Sequence, residues 1–217
     1  MNKVRLVPSL LTDNPETLEN MVRLVETFTS YVQFDIMDGE FVPSRSVTTK
    51  DLAHLQTRLC WEVHLMVLHP ETYLEDFRQA GAKKIVFHHE ATNSPQEVIS
   101  LTRSLNLRVG LAVNPETPIS EINPLVNEID SVLFLSVHPG FYGSKFLPEV
   151  LEKIAAFRDS HPGIEIGIDG GVKENNIARI VSSGVDTIYV GSAVLLHPQP
   201  AESFRHLLAI ANDTTHQ

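Results

Sequence analysis

The chain has 217 residues, 42% hydrophobic and 20% charged, a balance that fits one globular domain over residues 1–217. Twenty-seven acidic residues against 17 lysines and arginines give a net charge of −10. That charge argues against a nucleic-acid or anionic-membrane surface, but not against a small anion held by backbone N–H groups. Cys60 is the only cysteine, which excludes an intrachain disulfide and a thiolate zinc site; with no leader-like or bilayer-length apolar run, the expected location is the cytoplasm.

Read in order, short β-rich runs alternate with amphipathic ones. The predicted strands are Val4–Ser9, Tyr31–Ile36, Cys60–Met66, Lys84–His88, Arg108–Val113, Ser131–Val137, Ile164–Asp169 and Thr187–Val190. Helical patterns fall between them at Glu16–Phe28, Asp51–Arg58, Glu71–Ala80, Pro95–Leu105, Pro148–Asp159 and Glu174–Ser183, with a last one at Ala201–Ala211. Asn14 before Pro15 and the Asn175-Asn176 pair signal helix starts, and Gly81 and Gly184 signal stops. Strand and helix alternating in this way predict a parallel sheet. Reactive residues at several different strand ends favour a closed (β/α)8 barrel over an open doubly wound sheet, which gathers its chemistry at one switch point.

Three of these strands end in an acid or an imidazole. Strand side chains alternate faces, so Gln33, Asp35 and Met37 share one face, as do Glu62, His64 and Met66, and Gly167 with Asp169. Asp35 and Asp169 come from the second and seventh strands, whose ends face each other across a barrel mouth. Two opposed carboxylates suit removal of a proton from one face of a carbon and its return on the other; either acid alone could equally cap a helix or loop. His64 can be a metal ligand, a substrate donor or a packed core histidine, and carboxylates beside it raise the ligand role. Gly170-Gly171 after the seventh strand and Gly191-Ser192 after the eighth fit a backbone grip on phosphate, or else tight turns needing positive φ. Gly140-Phe141-Tyr142-Gly143 after the sixth strand fits a loop that closes over a ligand. His88 and His89 are read as core and loop residues.

At these residues the chain resembles the ribulose-phosphate 3-epimerase family. The resemblance runs through Pro8-Ser9-Leu10-Leu11, Phe34-Asp35-Ile36-Met37-Asp38-Gly39, Val63-His64-Leu65-Met66 and Asn114-Pro115-Glu116-Thr117-Pro118. It continues through Ser136-Val137-His138-Pro139-Gly140-Phe141 and Asp169-Gly170-Gly171 to Gly191-Ser192. It implies a (β/α)8 barrel of the ribulose-phosphate-binding type and an acid/base pair, Asp35 and Asp169, working through an enediolate. Ser9 and His64 would touch substrate oxygens. Gly140, Phe141, Tyr142, Gly143, Gly170, Gly171, Gly191 and Ser192 would hold the ligand and its phosphate. It also implies a divalent metal (zinc, manganese or iron) on Asp35, His64 and Asp169, and a homo-oligomer.

One family metal ligand, a histidine, falls on Gln33, whose neutral amide oxygen is a weaker ligand. His138 stands where Asn or Asp is common, and Leu135 where methionine is usual. The reaction implied is epimerisation at C3 of a ketose phosphate, D-ribulose 5-phosphate to D-xylulose 5-phosphate. A ketohexose-phosphate epimerase with altered metal use and a non-catalytic sugar-phosphate-binding barrel are the alternatives. A related lyase is disfavoured because its Asp-x-Lys-x-x-Asp pattern would need a lysine where the chain reads Asp35-Ile36-Met37-Asp38.

Overall fold

The computed structural model describes residues 3–140 and 145–214. Eight parallel strands close on themselves in sequence order: β1 (Arg5–Leu10), β2 (Tyr31–Met37), β3 (Cys60–Met66), β4 (Lys84–His88), β5 (Arg108–Val113), β6 (Ser131–Leu135), β7 (Glu165–Asp169) and β8 (Thr187–Val190). β8 pairs back onto β1, Arg5 with Thr187 through Pro8 with Val190, which leaves the sheet without an edge. The helices are α1 (Pro15–Val25), α2 (Thr49–Ala53), α3 (Leu74–Ala80), α4 (Pro95–Ser104), α5 (Ile119–Ile122), α6 (Val150–Ser160), α7 (Glu174–Ser182), α8 (Ser192–Leu195) and α9 (Pro200–Thr214). The (β/α)8 barrel expected from the alternation is therefore the observed architecture.

Local chemistry accounts for the boundaries. Asn14 accepts a hydrogen bond from Thr17 N at 2.9 Å and Pro15 occupies the first turn, so α1 starts where the sequence predicted. Its Leu18, Val22 and Val25 recur at helical spacing and are buried against the sheet. α2 is shorter than the predicted Asp51–Arg58. Thr48 N donates to the Asp51 carboxylate and opens the helix early, while Thr57 and Arg58 N donate to Glu26 and draw the chain out toward β3. α3 begins late because Pro70–Thr72 forms a 3-10 turn ahead of it, and it stops at Gly81, whose φ of 109° is left-handed. β6 ends two residues early, at Leu135, just before Ser136, whose hydroxyl donates to Gly170 O at 2.7 Å and Asp169 O at 3.0 Å. α5 and the 3-10 stretch Asn123–Glu128 are too short to show a period, and no sequence pattern predicted them.

Alternation divides the core in two. Outward-facing side chains such as Leu6, Phe34, Val63, Phe87, Leu111 and Ile168 pack beneath the helices as the large core. Each such burial stabilises by about 1.5–3 kcal/mol. Inside the barrel a smaller cluster of Val7, Val86, Ala112, Leu133, Leu135 and Tyr189 forms the middle layer. Below it lies a polar floor at the N-terminal ends of the strands. Lys84, 2% exposed, lies 3.3 Å from Glu62 and 3.7 Å from Glu165. Glu62 also accepts from Tyr31 Oη at 2.7 Å and from Tyr189 Oη. Glu165 is held by Arg5 at 2.6 Å and Arg108 at 3.2 Å. Gly110 makes room for this floor: a Cβ there would meet Ser131 Oγ at 2.7 Å and Lys84 Cε at 3.2 Å.

Candidate active site

The polar side chains predicted at strand ends meet at the opposite, C-terminal rim. Ser9 of β1, Asp35 of β2, His64 of β3 and Asp169 of β7 line one cavity. Gly140, Gly170, Gly171, Gly191 and Ser192 line it too. Phe141, Tyr142 and Gly143 lie outside the described residues. The apolar wall includes Met37 and Met66, which alternation put on the faces of Asp35 and His64, and Leu135; the sequence did not point to Leu11, Val137 and Tyr189 beside them.

Strand register explains the convergence. Asp35 pairs with His64 across β2 and β3, and Leu135 with Asp169 across β6 and β7. His64 Nδ1 sits 3.2 Å from Asp35 Oδ1 and 3.8 Å from Asp169 Oδ2. One ligand atom from each of the three lies within 4.8 Å of the others, a spacing that can hold a metal ion. Gln33, fully buried, donates from Nε2 to Asp35 Oδ1 and to Asp169 Oδ2, both at 2.9 Å. Its amide thus ties the two acids together, while its Oε1 is buried with no hydrogen-bond partner.

The glycines after β7 are required by backbone shape and by space. Gly170 and Gly171 have φ of 110° and 63°, and a Cβ on Gly170 would meet Val137 Cγ2 at 2.5 Å. On Gly171 it would meet the Phe146 backbone at 3.1 Å. The backbone here is consequently bare and open to a close ligand.

Burial pushes the Asp169 carboxyl up to about 7, with the Asp35 charge beside it adding to the rise and His64 and Gln33 opposing it. The consequence for stability has a definite sign. Between about pH 4, where an unfolded Asp loses its proton, and about pH 7, the folded state keeps a proton that the unfolded chain has lost. Folding stability of metal-free protein should therefore be fully present below that window and fall as pH rises through it. Melting temperatures in chelator from pH 4 to 8 should show this slope in the wild type and lose it in Asp169→Asn. An equal slope in both proteins would refute the assignment.

His88 is buried as expected of a core residue, but it also touches the site. Its Nε2 lies 2.9 Å from His64 Nε2 and the two rings stack with centroids 5.0 Å apart. Its Nδ1 faces Glu90 Oε2 at 3.3 Å. The alternation that singled out His64 applies equally to Lys84, Val86 and His88, and that was the available signal. His89 instead pairs with Glu121 at 3.3 Å. His138 is 68% exposed and pairs with Glu116 at 3.1 Å, so it does not replace the imidazole missing at Gln33.

Fold and site together define the class: a closed parallel (β/α)8 barrel with ionisable groups from separate strands gathered at its C-terminal rim beside a glycine-lined edge. Within that class, residues 5–195 match the sequence model of the ribulose-phosphate 3 epimerase family, and the chain belongs to that family. A ribulose-phosphate 3-epimerase from Synechocystis sp. is 36% identical over 207 residues, covering 91% of this chain and 90% of the relative. The Escherichia coli ribulose-phosphate 3-epimerase is 33% identical over 206 residues, covering 91% and 92%. A cytoplasmic isoform of the same name from Oryza sativa subsp. japonica is 34% identical over 205 residues, covering 91% and 90%. Among solved structures, KGPDC from Streptococcus mutans in complex with D-R5P superposes with a TM-score of 0.79 at 11% identity, covering 98% of this chain and 99% of that one. At that identity the likeness is one of fold.

Proposed function

We propose that this chain epimerises C3 of a ketose phosphate, D-ribulose 5-phosphate to D-xylulose 5-phosphate, by two-base proton transfer. The observation that carries this reading is the convergence of Asp35 and Asp169, from strands on opposite sides of the barrel, on one cavity and one bridging amide. The ionised carboxylate takes the C3 proton, and the electron pair moves onto the adjacent carbonyl oxygen to give an enediolate. The other carboxyl, protonated at the outset, delivers its proton to C3 from the opposite face, and the configuration inverts. A carboxyl whose proton affinity is raised to about 7 by burial, as at Asp169, can exchange protons near neutral pH. Ser9 and His64, which line the same cavity, would meet the sugar oxygens. The bare backbone at Gly170 and Gly171, with Gly140, Gly191 and Ser192 nearby, suits the phosphate.

The donor set also fits a divalent metal ion. Asp35, His64 and Asp169 would hold it, and the orphaned Gln33 Oε1 is a weak fourth donor available by rotation of the amide. When bound, such an ion supplies Lewis-acid stabilisation of the negative charge that develops on the sugar oxygen. The family resemblance further supports an assembly of several copies. The named rice isoform supports a cytoplasmic location, and among the described residues no helix is long and apolar enough to cross a membrane.

Incubation with ribulose 5-phosphate in deuterated water, with zinc or manganese supplied, should place solvent deuterium at C3 and produce xylulose 5-phosphate, both read by NMR. No C3 exchange and no second epimer under those conditions would sink the proposal.

A further inference from the structure

The glycine turn after β7 is pinned from behind by two side chains outside the acid/base pair. Ser136, fully buried just past the end of β6, donates from its backbone N to Asp169 O at 2.8 Å. Its hydroxyl lies 2.7 Å from Gly170 O and 3.0 Å from Asp169 O. A hydroxyl has one hydrogen to give, and Asp169 O already has a donor, so the shorter contact, to Gly170 O, takes most of it. The next carbonyl is held too. Asn176 Nδ2 donates to Gly171 O at 3.0 Å, while Asn176 Oδ1 accepts from Lys173 N at 2.8 Å.

A trans peptide points its C=O and its N–H in opposite directions, and every described peptide bond is trans. Holding Gly170 O on Ser136 therefore turns the Gly171 N–H away from Ser136. Leu135 and Val137 line the cavity and Ser136 between them does not, so the side away from Ser136 is the cavity side. Glycine on both sides of this peptide, at φ of 110° and 63°, leaves it little local preference of its own. Its orientation is set by what its carbonyl meets.

We propose that Ser136 is a positioning residue for the substrate's phosphate: its hydroxyl holds the Gly170–Gly171 peptide so that the Gly171 N–H is presented to the anion. The proposal rests on the reading that the chain takes a sugar phosphate at this edge, and it adds which amide is aimed there and what aims it. An N–H already facing the cavity costs the ligand nothing to orient. A peptide free to turn can offer its carbonyl instead, which repels phosphate.

Ser136→Ala tests it. The backbone bond to Asp169 O remains, Asn176 still holds Gly171 O, and the Gly170 carbonyl is released. Amide NMR on nitrogen-labelled protein, titrated with inorganic phosphate, reads the affinity and the responding amide together. In wild type the Gly171 amide proton should move downfield and saturate. In Ser136→Ala the dissociation constant of phosphate should rise about 10-fold, the worth of one hydrogen bond to an anion, and the Gly171 shift should shrink. With D-ribulose 5-phosphate, KM should rise by the same factor while kcat stays within threefold, a split that general damage to the barrel would not give.

Phosphate that binds wild type without moving the Gly171 amide overturns the proposal before any variant is made. So does Ser136→Ala with a phosphate affinity within twofold of wild type. A loss confined to kcat overturns it as well, since the hydroxyl would then act on Asp169. All three results leave the sugar-phosphate reading standing. Failure of both phosphate and D-ribulose 5-phosphate to bind wild type strikes that reading itself, and this proposal with it.

Discussion

Asp169→Asn should stop interconversion of the two epimers, lowering turnover by about 10²- to 10⁴-fold, while preserving half of the exchange chemistry. The amide has nearly the shape of the acid but neither takes nor gives the proton. On the proposed two-base mechanism, Asp35 remains on the other face of the substrate. The epimer whose C3 hydrogen points at Asp35 should still trade it for solvent deuterium, and the other epimer should not. Asp35→Asn should show the mirror pattern. The pairing of the two variants is what makes the test specific, because a loss of fold would abolish both exchanges together. If each variant exchanges both epimers equally, one group serves both faces, and the opposed carboxylates seen 2.9 Å either side of the Gln33 amide are not the two bases.

Lys84→Met should be the most destabilising single change in the barrel floor. Lys84 and Glu62 are 2% and 1% exposed and lie 3.3 Å apart, with Glu165 at 3.7 Å from the same ammonium group. Removing the cation strands Glu62 as a buried charge balanced only by the Tyr31 and Tyr189 hydroxyls. Breaking such a pair from one side costs about 3–5 kcal/mol. For a chain of this size that is a drop of about 10 °C in melting temperature. Adding Glu62→Gln should recover a large part of the loss, since the uncompensated charge goes with it. Chemical denaturation of the single and double variants measures both numbers. A loss under about 1 kcal/mol for Lys84→Met would mean water reaches the floor.

Period-two alternation along each strand carried most of what the sequence revealed. It put Asp35, His64 and Asp169 on inward faces, and the barrel brings them to one cavity. It carried equal information about Lys84 and His88, but alternation says which face a residue takes and not which residue faces it. The contact between the two imidazoles depends on the stagger of β3 against β4, which pairs His64 with Val86 and leaves His88 one step higher. No spacing within either strand encodes that stagger. Gln33 was legible as a departure at a ligand position. Its amide bridging both carboxylates was not, because that depends on β2 and β7 leaning toward a common axis. The helix at Ile119–Ile122 escaped for a simpler reason, since four residues are barely one turn.

The two ends of the barrel are built on contrary electrostatic terms. At the rim, two acidic side chains are pressed together in one recess, which raises the proton affinity of Asp169 and works against folding. At the base, opposite charges interlock beneath a layer of aliphatic and aromatic side chains. Cohesion is thus stored far from the reacting groups. Alterations at the rim, of which Gln33 is one, act on a frame already fastened from underneath, and some of them relieve strain instead of adding it. This gives the scaffold latitude to trade ligands and loops for a different sugar phosphate without first being restabilised.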